Sequence, residues 1–223
     1  MFSVWIDRLQ RYANGSPQAG YGMEFEKRFT KPLKCVEGSI THNRAISYTI
    51  GGINMVVRFE VDGCISSTRV TLGSGIGQLA GESTTPTGFK VVSRGLLAAE
   101  ESIIELKTSS LARRNMGATK FMPQLWFSRT LVLIKGYHQG EGTFSEVVES
   151  NVEEKMREWE EGNREKLQRL VKVLQIIIGV LKGMEAKKCA VVLRKGQEDL
   201  EIYALDEGKY KFGVPADIRA RWD

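Results

Sequence analysis

Two short patterns in the 223-residue chain carry residues able to do chemistry: Glu60-Val61-Asp62 and Glu105-Leu106-Lys107. Each closes an apolar stretch with strand character, Met55 to Ile65 and Ser102 to Lys107. Side chains alternate faces along a strand, so Glu60 and Asp62 share one side while Val61 turns to the core, and Glu105 shares one side with Lys107. If the two strands are neighbours, three carboxylates and one ammonium converge, an arrangement that is costly unless a divalent cation neutralises the acids. Mg²⁺ or Mn²⁺ is the implied cofactor. Such hard cations take oxygen ligands and leave positions open for water and for substrate phosphates. A water on such a metal is a usable nucleophile, and the metal together with a lysine stabilises charge on a phosphate under attack. Either tripeptide alone is also what a half-exposed strand shows; the two in this order, both at strand ends, point to phosphate-ester hydrolysis.

Two further segments belong with them. Tyr21-Gly22-Met23-Glu24-Phe25-Glu26-Lys27 opens a helix before the strands and offers a carboxylate, with Phe25 facing the core. Glu26 is the expected member of the acidic group, and Glu24, just before Phe25, competes for the role. Gln124-Leu125-Trp126-Phe127-Ser128 follows the Glu-x-Lys strand and leads into Leu131-Val132-Leu133-Ile134.

The elements that must position these groups follow from periodicity and turn residues. A helix runs from Tyr21 to Phe29. Ile46–Ile50 and Met55–Ile65 form an antiparallel hairpin around Gly51-Gly52-Ile53-Asn54. The Gly-, Ser- and Thr-rich stretch that follows is too long and polar for an ordinary connection, and an inserted surface loop is expected over about 66–101. Its Gly73-Ser74-Gly75-Ile76-Gly77 is no dinucleotide fingerprint, because Gln78 stands where the third glycine is needed. Lys90–Val92 and Ser102–Lys107 are strands, Phe121–Ser128 is a helix with Pro123 in its first turn, and Leu131–His138 is an apolar strand. The spacing of Val148, Val152, Met156 and Trp159, and of Leu167, Leu170, Val171, Leu174, Ile178 and Leu181, predicts helix from Glu146 to Met184, divided at Gly162-Asn163, with one face of each half on the core. Ala190–Leu193 and Leu200–Leu205 close the chain as a strand pair. The expected fold class is mixed α/β (α+β), a central mixed sheet flanked by helices. Residues 1–20 read as an N-terminal extension and 21–215 as a single domain.

Composition narrows the classes. With 42% apolar and 26% charged residues, the chain is neither disordered, collagen-like nor a disulfide framework. Cys35, Cys64 and Cys189 have no paired spacing and suit a reducing, intracellular setting. A net charge of +5 and a pI near 9.1 lean toward anionic partners. No secretory signal opens the sequence, and the longest apolar run, Val171–Leu181, is too short to span a bilayer, so no membrane partner is expected. His42 and His138 are too few for a zinc site. Trp126 and Trp159 fit core positions, and Arg113, Arg114 and Lys120 could line a phosphate path.

The acidic pair followed by Glu-x-Lys resembles the pattern of metal-dependent nucleases of the PD-(D/E)xK type. The wider run of Gly-x-x-Phe-Glu at Gly22–Glu26, Glu-x-Asp at Glu60–Asp62, Glu-x-Lys at Glu105–Lys107 and Gln124 before an apolar strand resembles the decapping exoribonuclease family, in particular its divergent fungal branch, over about residues 20 to 205. The resemblance implies a PD-(D/E)xK nuclease-like core and a metal-dependent hydrolase acting on RNA 5′ ends by decapping, pyrophosphohydrolysis or 5′→3′ exonucleolysis. It implies Glu26, Glu60, Asp62, Glu105 and the Leu106 carbonyl as metal ligands. It places Lys107 and Gln124 at the scissile phosphate or its attacking water, beside Glu26, Asp62 and Glu105. It also implies a nuclear location and, as a partner, a nuclear 5′→3′ exoribonuclease. The upstream region in which family members carry a substrate-contacting arginine has no match here, and Phe59 stands where many relatives have glycine. Two alternatives follow: a catalytically inactive relative that binds RNA or an exonuclease, and a DNA nuclease of the same fold.

Overall fold

The computed structural model describes residues 21–31, 38–39, 41–65, 81–86, 88, 90–93, 98–114, 118–139, 143–184 and 188–205. The proposed extension at 1–20, Cys35, the glycine-rich stretch 66–80 and the end of the expected domain beyond 205 lie outside these residues. The fold is mixed α/β, with four α-helices and several sheets among the described residues.

The sheet that matters for the site has four strands in the order β3-β6-β7-β8. These are β3 (Gly63–Cys64), β6 (Ile103–Ser110), β7 (Val132–His138) and β8 (Phe144–Asn151). β6 and β7 are parallel, joined through helix α2 (Met122–Ser128), and the outer pairings are antiparallel. Alternation along β6 and β7 splits the apolar residues between two faces. On one face Ile104 and Leu106 pack with Phe25 of helix α1 (Gly22–Phe29), flanked by Val132, Ile134 and Phe144. On the other, Leu133 packs with Met122, Leu125 and Trp126 of α2 and with Val152 and Met156 at helix α3 (Glu153–Gly162). Phe25, Leu125, Leu133 and Val152 are the most completely buried of these, each worth about 1.5–3 kcal/mol on burial.

The other elements surround this layer. β1 (Asn43–Ile50) and β2 (Ile53–Glu60) form the expected hairpin, with a two-residue turn at Gly51-Gly52, both at positive φ as the tight right-twisted turn requires. Tyr48 donates from its hydroxyl to the Phe127 carbonyl at 2.8 Å, which ties the hairpin to α2. Arg129, in the left-handed region at φ 54°, ends α2, and its guanidinium lies 4.7 Å from the Tyr48 and Trp126 ring centroids. Helix α4 (Arg164–Gly183) follows α3, and β9 (Cys189–Leu193) pairs with β10 (Leu200–Ala204) as expected.

Four expectations need correction. The strand expected over Met55–Ile65 breaks at Val61-Asp62: Val61 N–H still donates to the His42 carbonyl at 2.8 Å on the hairpin side, and Gly63 then pairs with β6 instead. Residues 146–151 are strand rather than helix. The β-branched pair Val147-Val148 favours extended backbone, and α3 begins only at Glu153, whose N–H donates to Asn151 Oδ1 at 2.9 Å. Gly81–Thr84, expected as part of the inserted loop, is strand β4, and it pairs with β5 (Lys90–Ser93), where a strand was expected over Lys90–Val92. Helix α4 buries only Leu181 fully; its stripe is otherwise half-covered, and Leu170, Ile176 and Val180 are exposed.

Candidate functional site

The break at Val61-Asp62 brings the two sequence patterns together. Glu60 and Asp62 do not converge on β6 as one uninterrupted strand: Glu60 ends β2, paired with Asn43 in the separate hairpin. Asp62 lies between β2 and β3. Because Gly63 and Cys64 pair with Ile104 and Ile103, the free edge of β6 begins just beyond, and Leu106 N–H donates to Asp62 Oδ2 at 2.8 Å. Gly63 permits the close approach, since a Cβ there would stand 3.2 Å from Ile104 Cδ1. Val61 is buried as expected.

Glu105 is 3% exposed. Its Oε1 accepts from Gln124 Nε2 at 2.6 Å and is ion-paired with Lys107, its neighbour on the same face of β6. Gln124, from the exposed side of α2, reaches it because it follows Pro123 in that helix's first turn and Leu125 and Trp126 bury the opposite face. Burial raises the Glu105 carboxyl above the ordinary value, and the negative charge of Asp62 adds to this against the pull of Lys107 and Gln124.

Glu26 completes the group from α1. Phe25 anchors that helix against Ile104 and Leu106, so the next residue sits beside the same strand edge. Partial burial, then Asp62 and Glu60, raise the Glu26 carboxyl, and Lys107 opposes them. Glu24, the alternative, is held on the exposed side by Lys27 at 2.9 Å. Glu26 thus feels the charges of Asp62, Glu60 and Lys107, and Glu105 those of Asp62 and Lys107, with Gln124 touching Glu105.

The donor chemistry suits a hard cation: carboxylates that repel one another, two of them with raised pKa values, beside a strand edge. Among the described residues, however, no three His, Cys, Asp or Glu side chains stand close enough to cage a metal with their present rotamers. Asp62 is turned to Leu106 N–H, and Glu105 is occupied by Lys107 and Gln124.

The other singled-out residues divide. Trp126 is core, and Trp159 packs against it with ring centroids 5.8 Å apart. His138 ends β7 between the Tyr21 and Phe144 rings, and its Nδ1 is buried without a hydrogen bond. Arg114 pairs with Glu146 at 2.6 Å, whereas Arg113 and Lys120 sit exposed in single 3-10 turns. Sequence reasoning missed Lys135, which lies beside Lys107 in the β6–β7 register; the signal was a lysine inside an apolar parallel strand. Cys64 is exposed and Cys189 half-buried, both as free thiols. Among the described residues no helix is long and apolar enough to cross a membrane.

No curated protein matches the chain. Among solved structures, a crystal structure of Scheffersomyces stipitis Rai1 in complex with (3′-NADP)+ and calcium ion is similar at 18% identity and a TM-score of 0.37. That match covers 60% of this chain and 31% of the other, so the chain spans about a third of its length. A family model matches residues 3–222, nearly the whole sequence, and the chain therefore belongs to the family described as Domain of unknown function (DUF8563).

Proposed function

We propose that the protein is a divalent-metal-dependent phosphohydrolase acting on RNA 5′ ends, with a PD-(D/E)xK nuclease-like core. The observation that carries the reading is the Asp62–Leu106 hydrogen bond, which sets the Glu-x-Asp segment against the Glu-x-Lys strand. Glu26, Glu60, Asp62, Glu105 and the Leu106 carbonyl are the proposed ligands of Mg²⁺ or Mn²⁺. When bound, the cation would supply a water of lowered pKa and neutralise phosphate charge. Lys107 and Gln124, which now donate to Glu105, are the proposed donors to the scissile phosphate and its attacking water, each exchanging a carboxylate for a phosphate oxygen. The restriction to RNA 5′ ends comes from the order and spacing of the sequence motifs, and a nuclear setting follows from the same resemblance.

The test is release of a 5′ nucleotide or cap from a panel of RNAs bearing triphosphate, unmethylated cap or nucleotide cap, in Mn²⁺, with a matched DNA alongside. Release from at least one RNA is expected, abolished by Glu105→Ala or Asp62→Ala in folded protein. Full activity of either variant refutes the assignment, and cleavage of DNA alone transfers it to the DNA-nuclease alternative.

A second reading, a catalytically inactive relative that binds RNA or a nuclear 5′→3′ exoribonuclease, is favoured by the way Lys107 and Gln124 already satisfy Glu105. Calorimetric titration separates the two: an active centre takes up Mn²⁺ and loses it in Asp62→Ala, whereas a scaffold need not bind the ion.

A further inference from the structure

On the α2 face of the central sheet, Lys107 of β6 and Lys135 of β7 are directly paired in the parallel register, about 4.8 Å apart by the spacing of neighbouring strands. Lys107 is neutralised by Glu105. Among the described residues Lys135 has no acidic partner. It is 9% exposed, and its ammonium makes no hydrogen bond or ion pair with any described residue; its one polar contact is with the Tyr137 ring, 5.1 Å to the centroid.

The carboxylates sharing this face are already engaged. Glu105 is held by Lys107 and Gln124, and Glu146, paired with Tyr137 across β7–β8, is held by Arg114. A covered ammonium with no counter-ion is unfavourable, and a parallel strand flanked on both sides ordinarily reads as an unbroken apolar run, as Val132, Leu133 and Ile134 do here. An apolar residue at 135 would pack at lower cost. Beyond Lys135 the same face continues to Tyr137 and to the Arg114 guanidinium, 5.9 Å from the Tyr137 centroid. Lys135 and Arg114 thus both lie over the Tyr137 ring, with Lys107 beside Lys135 across the strand pair.

We infer that Lys135 is a phosphate-binding residue that takes the phosphate next to the one at the acidic centre. The inference rests on the hydrolase reading above and adds to it a second phosphate subsite.

The test is binding rather than turnover. A fluorescent 5′-phosphorylated oligouridylate of about eight nucleotides is titrated by anisotropy in Ca²⁺ at several salt concentrations, with uridine 5′-monophosphate as competitor. The unaltered protein should bind the octamer well above the mononucleotide. Lys135→Met, or Lys135→Gln if the first does not fold, should weaken the octamer about tenfold, more than it weakens the mononucleotide. The same variant should flatten the log–log salt slope by about 0.7. Wild-type affinity for the octamer no greater than for the mononucleotide overturns the inference without any variant. Unchanged affinity and slope in a folded variant overturn it while leaving the hydrolase reading intact. Failure of the wild type to bind either probe removes that reading and this inference together.

Discussion

Asp62 Oδ2 accepts the backbone N–H of Leu106 at 2.8 Å, so a carboxylate 44 residues upstream caps the free edge of the strand that carries Glu105 and Lys107. The bond does two things at once: it satisfies an edge donor and it fixes an acid beside two others. Substitution should separate them. Asp62→Asn keeps an acceptor and should fold like the wild type while losing at least tenfold in Mn²⁺ affinity by calorimetry. Asp62→Ala should lose the ion and also about 1–3 kcal/mol of stability by urea denaturation. Equal stability of the two variants would show that the hydrogen bond contributes nothing.

Lys107 and Gln124 hold the same oxygen of Glu105. If their proposed task is to engage phosphate, Lys107→Met and Gln124→Ala should each lower the rate of RNA 5′-end release by about 10²–10³, with Mn²⁺ binding retained in calorimetry. Loss of Mn²⁺ binding in Gln124→Ala would instead make the glutamine a support for Glu105.

The pH dependence of stability follows from Glu105 and Glu26, both raised above 4.5 by burial, with Asp62 adding to each and Glu60 to Glu26. A carboxyl whose folded pKa exceeds its unfolded one stabilises the fold below the unfolded value, and that contribution is lost as pH rises through the folded pKa. Without metal, the protein should therefore gain thermal stability from these groups on moving from pH 7 toward 4.5. Glu105→Gln should melt above the wild type at pH 7, the gap closing near pH 4. Mn²⁺ should raise the wild-type melting temperature at pH 7 and not at pH 4. Scanning fluorimetry reads all three.

Gly136 of β7 lies under Phe25, where an added Cβ would run into Phe25 Cε2 and come within 2.7 Å of Cζ and 2.9 Å of Phe144 Cδ1. Gly136→Ala should cost about 1–3 kcal/mol. Because Phe25 is what seats Glu26, the same variant should also weaken Mn²⁺ binding. Destabilisation with unaltered Mn²⁺ affinity would mean that α1 contributes no ligand.

Much of this architecture was readable from local chemistry. Gly51-Gly52 between two β-branched runs specified the β1–β2 hairpin, and Phe25, Val61 and Trp126 were placed in the core by alternation or helical spacing. The 146–151 segment was misread because Val148, Val152, Met156 and Trp159 fall at helical intervals across a boundary. The first lies on a strand, the last two on the helix after it, and periodicity cannot register the change when neighbouring elements bury the same side.

The sequence by itself determined which residues could hold charge and on which face of its own element each would lie, because alternation and helical pitch are properties of a few consecutive residues. Which charges meet was decided only by the tertiary structure. Asp62 reaches β6 through a break in a strand, Glu26 through the ring of its neighbour, and Lys135 stands beside Lys107 through the parallel register of β6 and β7. Each of these depends on packing between segments far apart in the chain, and no local pattern encodes that packing.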